Sequence, residues 1–120
     1  MNRPAESGAR VLDLRTYKLV AGGAEEFDRI FRERVLPMLE RFGIEVVGYG
    51  PSLDDGDLYY LMRAFGSAAE REEQLDAFYE SEEWRQEHRD AVLGRIETYH
   101  ALLIDIPPAM WSGSRPTSSA

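Results

Sequence analysis

The residues able to do chemistry are few. Two histidines, His88 and His100, stand far apart in the chain, and there is no cysteine, which excludes disulfides, thiolate nucleophiles and thiolate-bound metals together. His88 lies four residues after Trp84 in a helical pattern, so the two share a helix face. That pair could wall a ligand pocket, or Trp84 could simply anchor the core while His88 sits at the surface between Glu87 and Arg89. A second constellation comes from strand-like stretches: Arg15 and Tyr17, Glu45 and Tyr49, Tyr59 and Arg63, and His100 in phase with Thr98 and Leu102. If these phases face one cavity, arginines, phenols and an imidazole would surround an anionic or quinone-like ligand. The plainer alternative pairs the same groups with one another across an interface. Tyr60 and Trp84 are expected among the walls of any pocket between helices and sheet.

The positioning elements follow from periodicity. From Val11, side chains alternate as in a strand, with Leu12 and Leu14 on one face and Asp13, Arg15 and Tyr17 on the other. Ala21, Gly22 and Gly23 break it. Phe27, Ile30, Phe31, Arg34 or Val35, Met38 and Phe42 then recur at helical spacing, with Gly43 as the stop. Pro37 inside that run predicts a kink or break near Val35 and Leu36. Ile44 to Tyr49 reads as a second strand, with Gly48 and Gly50 marking a bulge or close backbone contact. PSLDDG is a turn into a third strand, Asp57 to Phe65, paired antiparallel with the second. Ser67 with Glu70 makes a capping box that opens a second helical region running through Trp84 and His88 to Gly94. Ile96 to Ile106 is the last strand, ended by Pro107 and Pro108.

The order β-α-β-β-α-β is the ferredoxin-like pattern: an α+β fold with a four-stranded antiparallel sheet and helices on one face. The other face needs a cover, because both phases of the strands carry apolar or aromatic residues, such as Leu58, Tyr60 and Met62 against Tyr59, Leu61 and Phe65. A second copy of the chain, giving a homodimer with two sheets face to face, is the economical expectation.

Length and charge bound the rest. The 120 residues hold one domain, expected over residues 10–106, with a disordered lead at 1–9 and a flexible Ser-rich tail at 107–120. A net charge of −8 repels phosphate backbones, so no nucleic-acid partner is expected. No apolar run reaches membrane-spanning length and no signal-like h-region opens the chain, so no membrane insertion and a cytoplasmic location are expected. No G-x-S-x-G elbow, phosphate-binding glycine loop or H-E-x-x-H is present, and Asp54, Asp55 and Asp57 lack the closing glutamate of a calcium loop. No metal and no cofactor are expected.

LRTYKL in the first strand, LPMLERFGIEVVGY, YYLMRAF and SAAEREEQLDAFYESEEW, taken in order, resemble the NIPSNAP family over about residues 10–106. The resemblance implies a dimeric α+β barrel, related in architecture to small monooxygenases and haem-degrading enzymes. It carries over no catalytic residue. Through that kinship it raises a haem role for His88 as axial ligand beside Trp84. The expected function is a small-molecule binding or interaction and regulatory module of unassigned activity, with a small apolar or aromatic ligand among its expected partners. The alternative is a cofactor-independent monooxygenase-like enzyme acting on an aromatic or quinone-like molecule.

Overall fold

A computed structural model describes residues 10–107. The lead at 1–9 and the tail beyond 107 lie outside the described residues. Four strands are present: β1 (Arg10–Leu19), β2 (Glu45–Pro51), β3 (Leu58–Phe65) and β4 (Ile96–Ile106). They form one antiparallel sheet in the order β2-β3-β1-β4. Helix α1 occupies residues 24–41, α2 Ala68–Tyr79 and α3 residues 84–93, all packed on one face. The topology is ferredoxin-like.

Pro37 does not break α1. Phe31–Val35 forms a π turn, in which the Leu36 N–H reaches back to the Phe31 carbonyl, and Pro37 stands at the start of the α-helical segment that follows. The wider turn carries the chain past a residue that has no N–H to give. Phe27, Ile30, Phe31, Val35, Met38 and Leu39 form its buried stripe, which resolves the Arg34/Val35 ambiguity in favour of valine. Gly43, at φ +74°, closes the helix: its N–H bonds Glu40 O at 3.0 Å, and Ile44 N bonds Leu39 O at 3.0 Å.

The hairpin between β2 and β3 behaves as the sequence predicts. The register shifts between Val46 and Gly48, and a Cβ at Gly48 would stand 3.4 Å from the Tyr60 hydroxyl, so the bulge and the close approach coincide there. In the turn, Asp55 accepts from the Asp57 N–H at 2.9 Å and Asp57 from the Gly22 N–H at 3.3 Å. These carboxylates satisfy backbone. At α2, Ser67 Oγ accepts from Glu70 N at 3.0 Å, while Glu70 reaches back one residue past the cap to Gly66 N at 2.9 Å.

The alternation in β1 has an unexpected consequence. Its Asp13, Arg15 and Tyr17 phase is the one beneath the helices, and the Leu12 and Leu14 phase faces away from them. The helix-covered face therefore buries Asp13 and Arg63, both 0% exposed, beside an aromatic core.

Candidate functional site

Registers decide which predicted residues meet. Asp13 pairs with Arg63, Arg15 with Leu61, and Tyr17 with Tyr59 on one side and Tyr99 on the other. All of these point to the helix side. Thr16 pairs with Tyr60 and His100, and Leu14 with Met62 and Leu102, so that phase faces the open side of the sheet. Glu45 pairs with Ala64 in the same phase. The polar ring drawn from the sequence thus divides between two faces: Arg15, Tyr17, Tyr49, Tyr59 and Arg63 lie under the helices, while Glu45, Thr98, His100 and Leu102 do not; Tyr60, expected as a wall between helices and sheet, lies on the open face as well.

Arg15 and Tyr17 line a cleft of about 350 Å³ between the β1–β4 end of the sheet and the second helical region. Tyr99 and Ile96 contribute from β4, Tyr79 from the end of α2, and Trp84, Val92 and Leu93 from α3. The Trp84 ring is fixed from two sides, 5.4 Å from Phe78 and 5.1 Å edge-on from Tyr79. Ser81 positions it, since its hydroxyl accepts from the Trp84 N–H at 3.2 Å and donates to Phe78 O at 2.7 Å. Tyr99, on an edge strand that the helices do not cover, is 56% exposed.

Behind the cleft sits a charged cluster. Asp13 Oδ2 accepts from Arg71 Nε at 2.7 Å, and Oδ1 lies 3.5 Å from Arg63 Nη2 and 3.4 Å from Arg15 Nε. Arg63 Nη1 donates to the Tyr79 hydroxyl at 3.0 Å. The Nε atoms of Arg15 and Arg63 are both buried and make no hydrogen bond. Burial opposes the Arg63 charge, but Tyr79, Tyr17 and Asp13 more than compensate, and its pKa lies above the ordinary value. Burial, then Tyr79, pushes the Tyr17 phenol far upward, so it stays protonated through neutral pH. Among the described residues no carboxylate or imidazole lines the cleft. It can orient and desolvate a molecule, and it offers cationic and neutral donors.

His88 lies elsewhere. It is buried rather than at the surface, and its Nε2 is 3.1 Å from Glu83 Oε2, while its Nδ1 has no partner. Arg41 grips the same carboxylate at 3.0 and 2.8 Å and, with His88, draws the Glu83 pKa down to about 2. Trp84 faces the cleft and His88 faces this ion pair, so the two build no common pocket. Glu87 brings a third donor atom within 4.8 Å of the others, but the Arg41 guanidinium already holds Glu83. Tyr49 packs on Phe31 in the core at 5.1 Å. A second hollow, about 520 Å³, lies beside the hairpin with Thr16, Leu53, Tyr59 and Tyr60 among its walls.

Asp13, Arg71, Tyr79 and Tyr99 are not among the site residues that the sequence singles out, although Asp13 shares its strand face with Arg15 and Tyr17. The available signal was an acid inside the apolar run VLDL, which is worth matching with any arginine on a neighbouring strand or helix.

Fold and cleft together define a ferredoxin-like α+β domain with a small aromatic hollow at one end of its sheet. The sequence profile of the NIPSNAP family matches residues 12–104, and the chain belongs to that family. A NIPSNAP family protein from Agrobacterium tumefaciens superposes with a TM-score of 0.72 at 18% identity, covering 79% of this chain and 83% of that one. An uncharacterized NIPSNAP-like domain protein from Burkholderia xenovorans gives a TM-score of 0.73 at 14% identity, over 79% of this chain and 83% of the other. A Nitrosomonas europaea protein described as a candidate antibiotic biosynthesis monooxygenase gives 0.63 at 16%, over 79% and 88%. At such identities the likeness carries the fold alone. No curated protein matches the chain. Among the described residues no helix is long and apolar enough to cross a membrane.

Proposed function

We propose that this chain is a small-molecule binding module that works as a homodimer. The observation that carries the reading is the cleft itself. At about 350 Å³ it falls within the ~300–1,000 Å³ usual for small-ligand sites, and its walls are mainly aromatic and aliphatic with Arg15 as the charged group. Support for the dimer is the open sheet face, where Leu12, Leu14, Leu58 and Met62 are half-buried and Leu102 is 57% exposed. Native mass spectrometry of the purified full chain tests the binding reading. A non-covalent adduct of small-molecule mass, lost on denaturation, is expected; a bare chain that also takes up no aromatic probe would overturn it.

A second reading, oxygenation of the bound molecule without a cofactor, draws on the fold shared with two proteins described as candidate antibiotic biosynthesis monooxygenases. With no carboxylate or imidazole among the described residues of the walls and Tyr17 held neutral, the cleft would contribute orientation and water exclusion, and an electron-rich substrate would itself have to react with oxygen. Oxygen uptake by the ligand-loaded protein separates this from binding alone.

A further inference from the structure

We propose that the cleft selects a flat aromatic carboxylate, with Arg15 as the residue that recognises the anion. The proposal rests on the binding reading above and specifies its ligand class.

The first argument is charge. Three guanidiniums, Arg15, Arg63 and Arg71, converge on one carboxylate, Asp13, and among the described residues no other carboxylate pairs with any of them. One negative charge against three positive leaves the cluster at +2, within a chain whose net charge is −8. Asp13 is unevenly shared. Arg71 takes Oδ2 at 2.7 Å, whereas Arg15 and Arg63 divide Oδ1 at 3.4 and 3.5 Å. The Nε of Arg15 is buried with no hydrogen bond, and of the three arginines only Arg15 lines the cleft. A cation held only by a 3.4 Å ion pair to a carboxylate shared with two other guanidiniums is poorly compensated, which favours an incoming anion.

The second argument is shape. The Arg15 guanidinium carbon lies 5.9 Å from the Tyr79 ring centroid and 5.7 Å from that of Tyr99, so two rings hold the cation at the cleft wall. Trp84 meets Tyr79 edge-on, and Tyr99 is left largely in solvent at the edge strand. A planar ring laid against Tyr99 and Trp84 with its carboxylate at Arg15 would cover that exposed surface and neutralise part of the excess charge. One accessible guanidinium in apolar walls suits a monoanion on an aromatic ring better than a phosphate, which seeks several donors.

The test is calorimetric titration of the full chain with 2-naphthoate and with its neutral isostere 2-naphthamide. The carboxylate is expected to bind about tenfold tighter or more, the range of a charged hydrogen bond. Arg15→Met should bring the ratio close to one, and Arg15→Lys should keep part of it. Equal affinity of the two probes for the wild-type protein, or a ratio unchanged in Arg15→Met, would overturn the anion assignment while leaving the cleft as a binding site. Failure of both probes to bind would remove the cleft reading as well. The wild-type comparison stands even where a variant folds poorly.

Discussion

Neutralising Asp13 should cost more than removing any one arginine that faces it. Asp13 and Arg63 are both 0% exposed, and Asp13 is the shared counter-ion for Arg63, Arg71 and Arg15. In Asp13→Asn a buried guanidinium keeps its charge and loses its partner, a change that typically costs about 3–5 kcal/mol. For a domain of this size each kcal/mol lowers Tm by about 4–8 °C, so even the lower bound means a fall of more than about 12 °C. Arg63→Met is the informative contrast. It leaves Asp13 with Arg71 at 2.7 Å and Arg15 at 3.4 Å, and it relieves the crowding of positive charge. Its cost should stay nearer about 1–2 kcal/mol, that of a lost hydrogen bond and some packing. In the double variant the two losses should add to less than their sum, since the group stranded by the first change is absent. Urea denaturation at unchanged m-value measures all three. Asp13→Asn within about 1 kcal/mol of wild type, with Arg63→Met the costlier change, would refute the picture of one anion restraining three cations.

Other consequences are as direct. The folded-state pKa of Glu83 is depressed from 4.5 to about 2, first by Arg41 and then by His88, so its contribution to stability is present above pH 4.5 and is lost as pH falls towards 2. Wild type and Glu83→Gln should therefore differ near pH 6 and converge near pH 2 in denaturation curves. The Tyr59 phenol is raised by burial and by its 2.6 Å bond to Asp28, so its contribution is present below the ordinary value of 10.0 and fades as pH rises beyond it. Tyr59→Phe should be the less stable protein at pH 7, with the gap to wild type closing above pH 10. Leu14 lies on the open face opposite Met62 and Leu102. Light scattering should give the mass of two chains for wild type and of one for Leu14→Asp; a wild-type protein of one-chain mass would end the dimer proposal.

The elements were legible because their signals are local. Alternation marked β1, Ser67 and Glu70 marked the start of α2, and Gly43 marked the end of α1. The covered face was harder. Leu12 and Leu14 invite burial, yet the helices cover the phase of Asp13, Arg15 and Tyr17, because Tyr59, Leu61 and Phe65 on β3 and Leu19 on β1 outweigh two leucines. Which polar residues share a cavity depends on interstrand register, and one step of register turned His100 and Tyr60 away from Arg15. Asp13, Arg71, Tyr79 and Tyr99 come from three elements, β1, α2 and β4, and no short window of sequence contains them together. His88 illustrates the same limit: the four-residue spacing from Trp84 is visible in the sequence, whereas Arg41, which holds its partner Glu83, is brought in by the fold.

The six tyrosines offer the most direct test of the account. Tyr17, Tyr79 and Tyr99 line the cleft, and Tyr49, Tyr59 and Tyr60 do not. In aromatic carbon–proton NMR spectra of ring-labelled protein titrated with 2-naphthoate, the first three should shift together with a common saturation point while the others stay in place. Shifts centred on Tyr59 and Tyr60, which wall the hollow beside the hairpin, would contradict it.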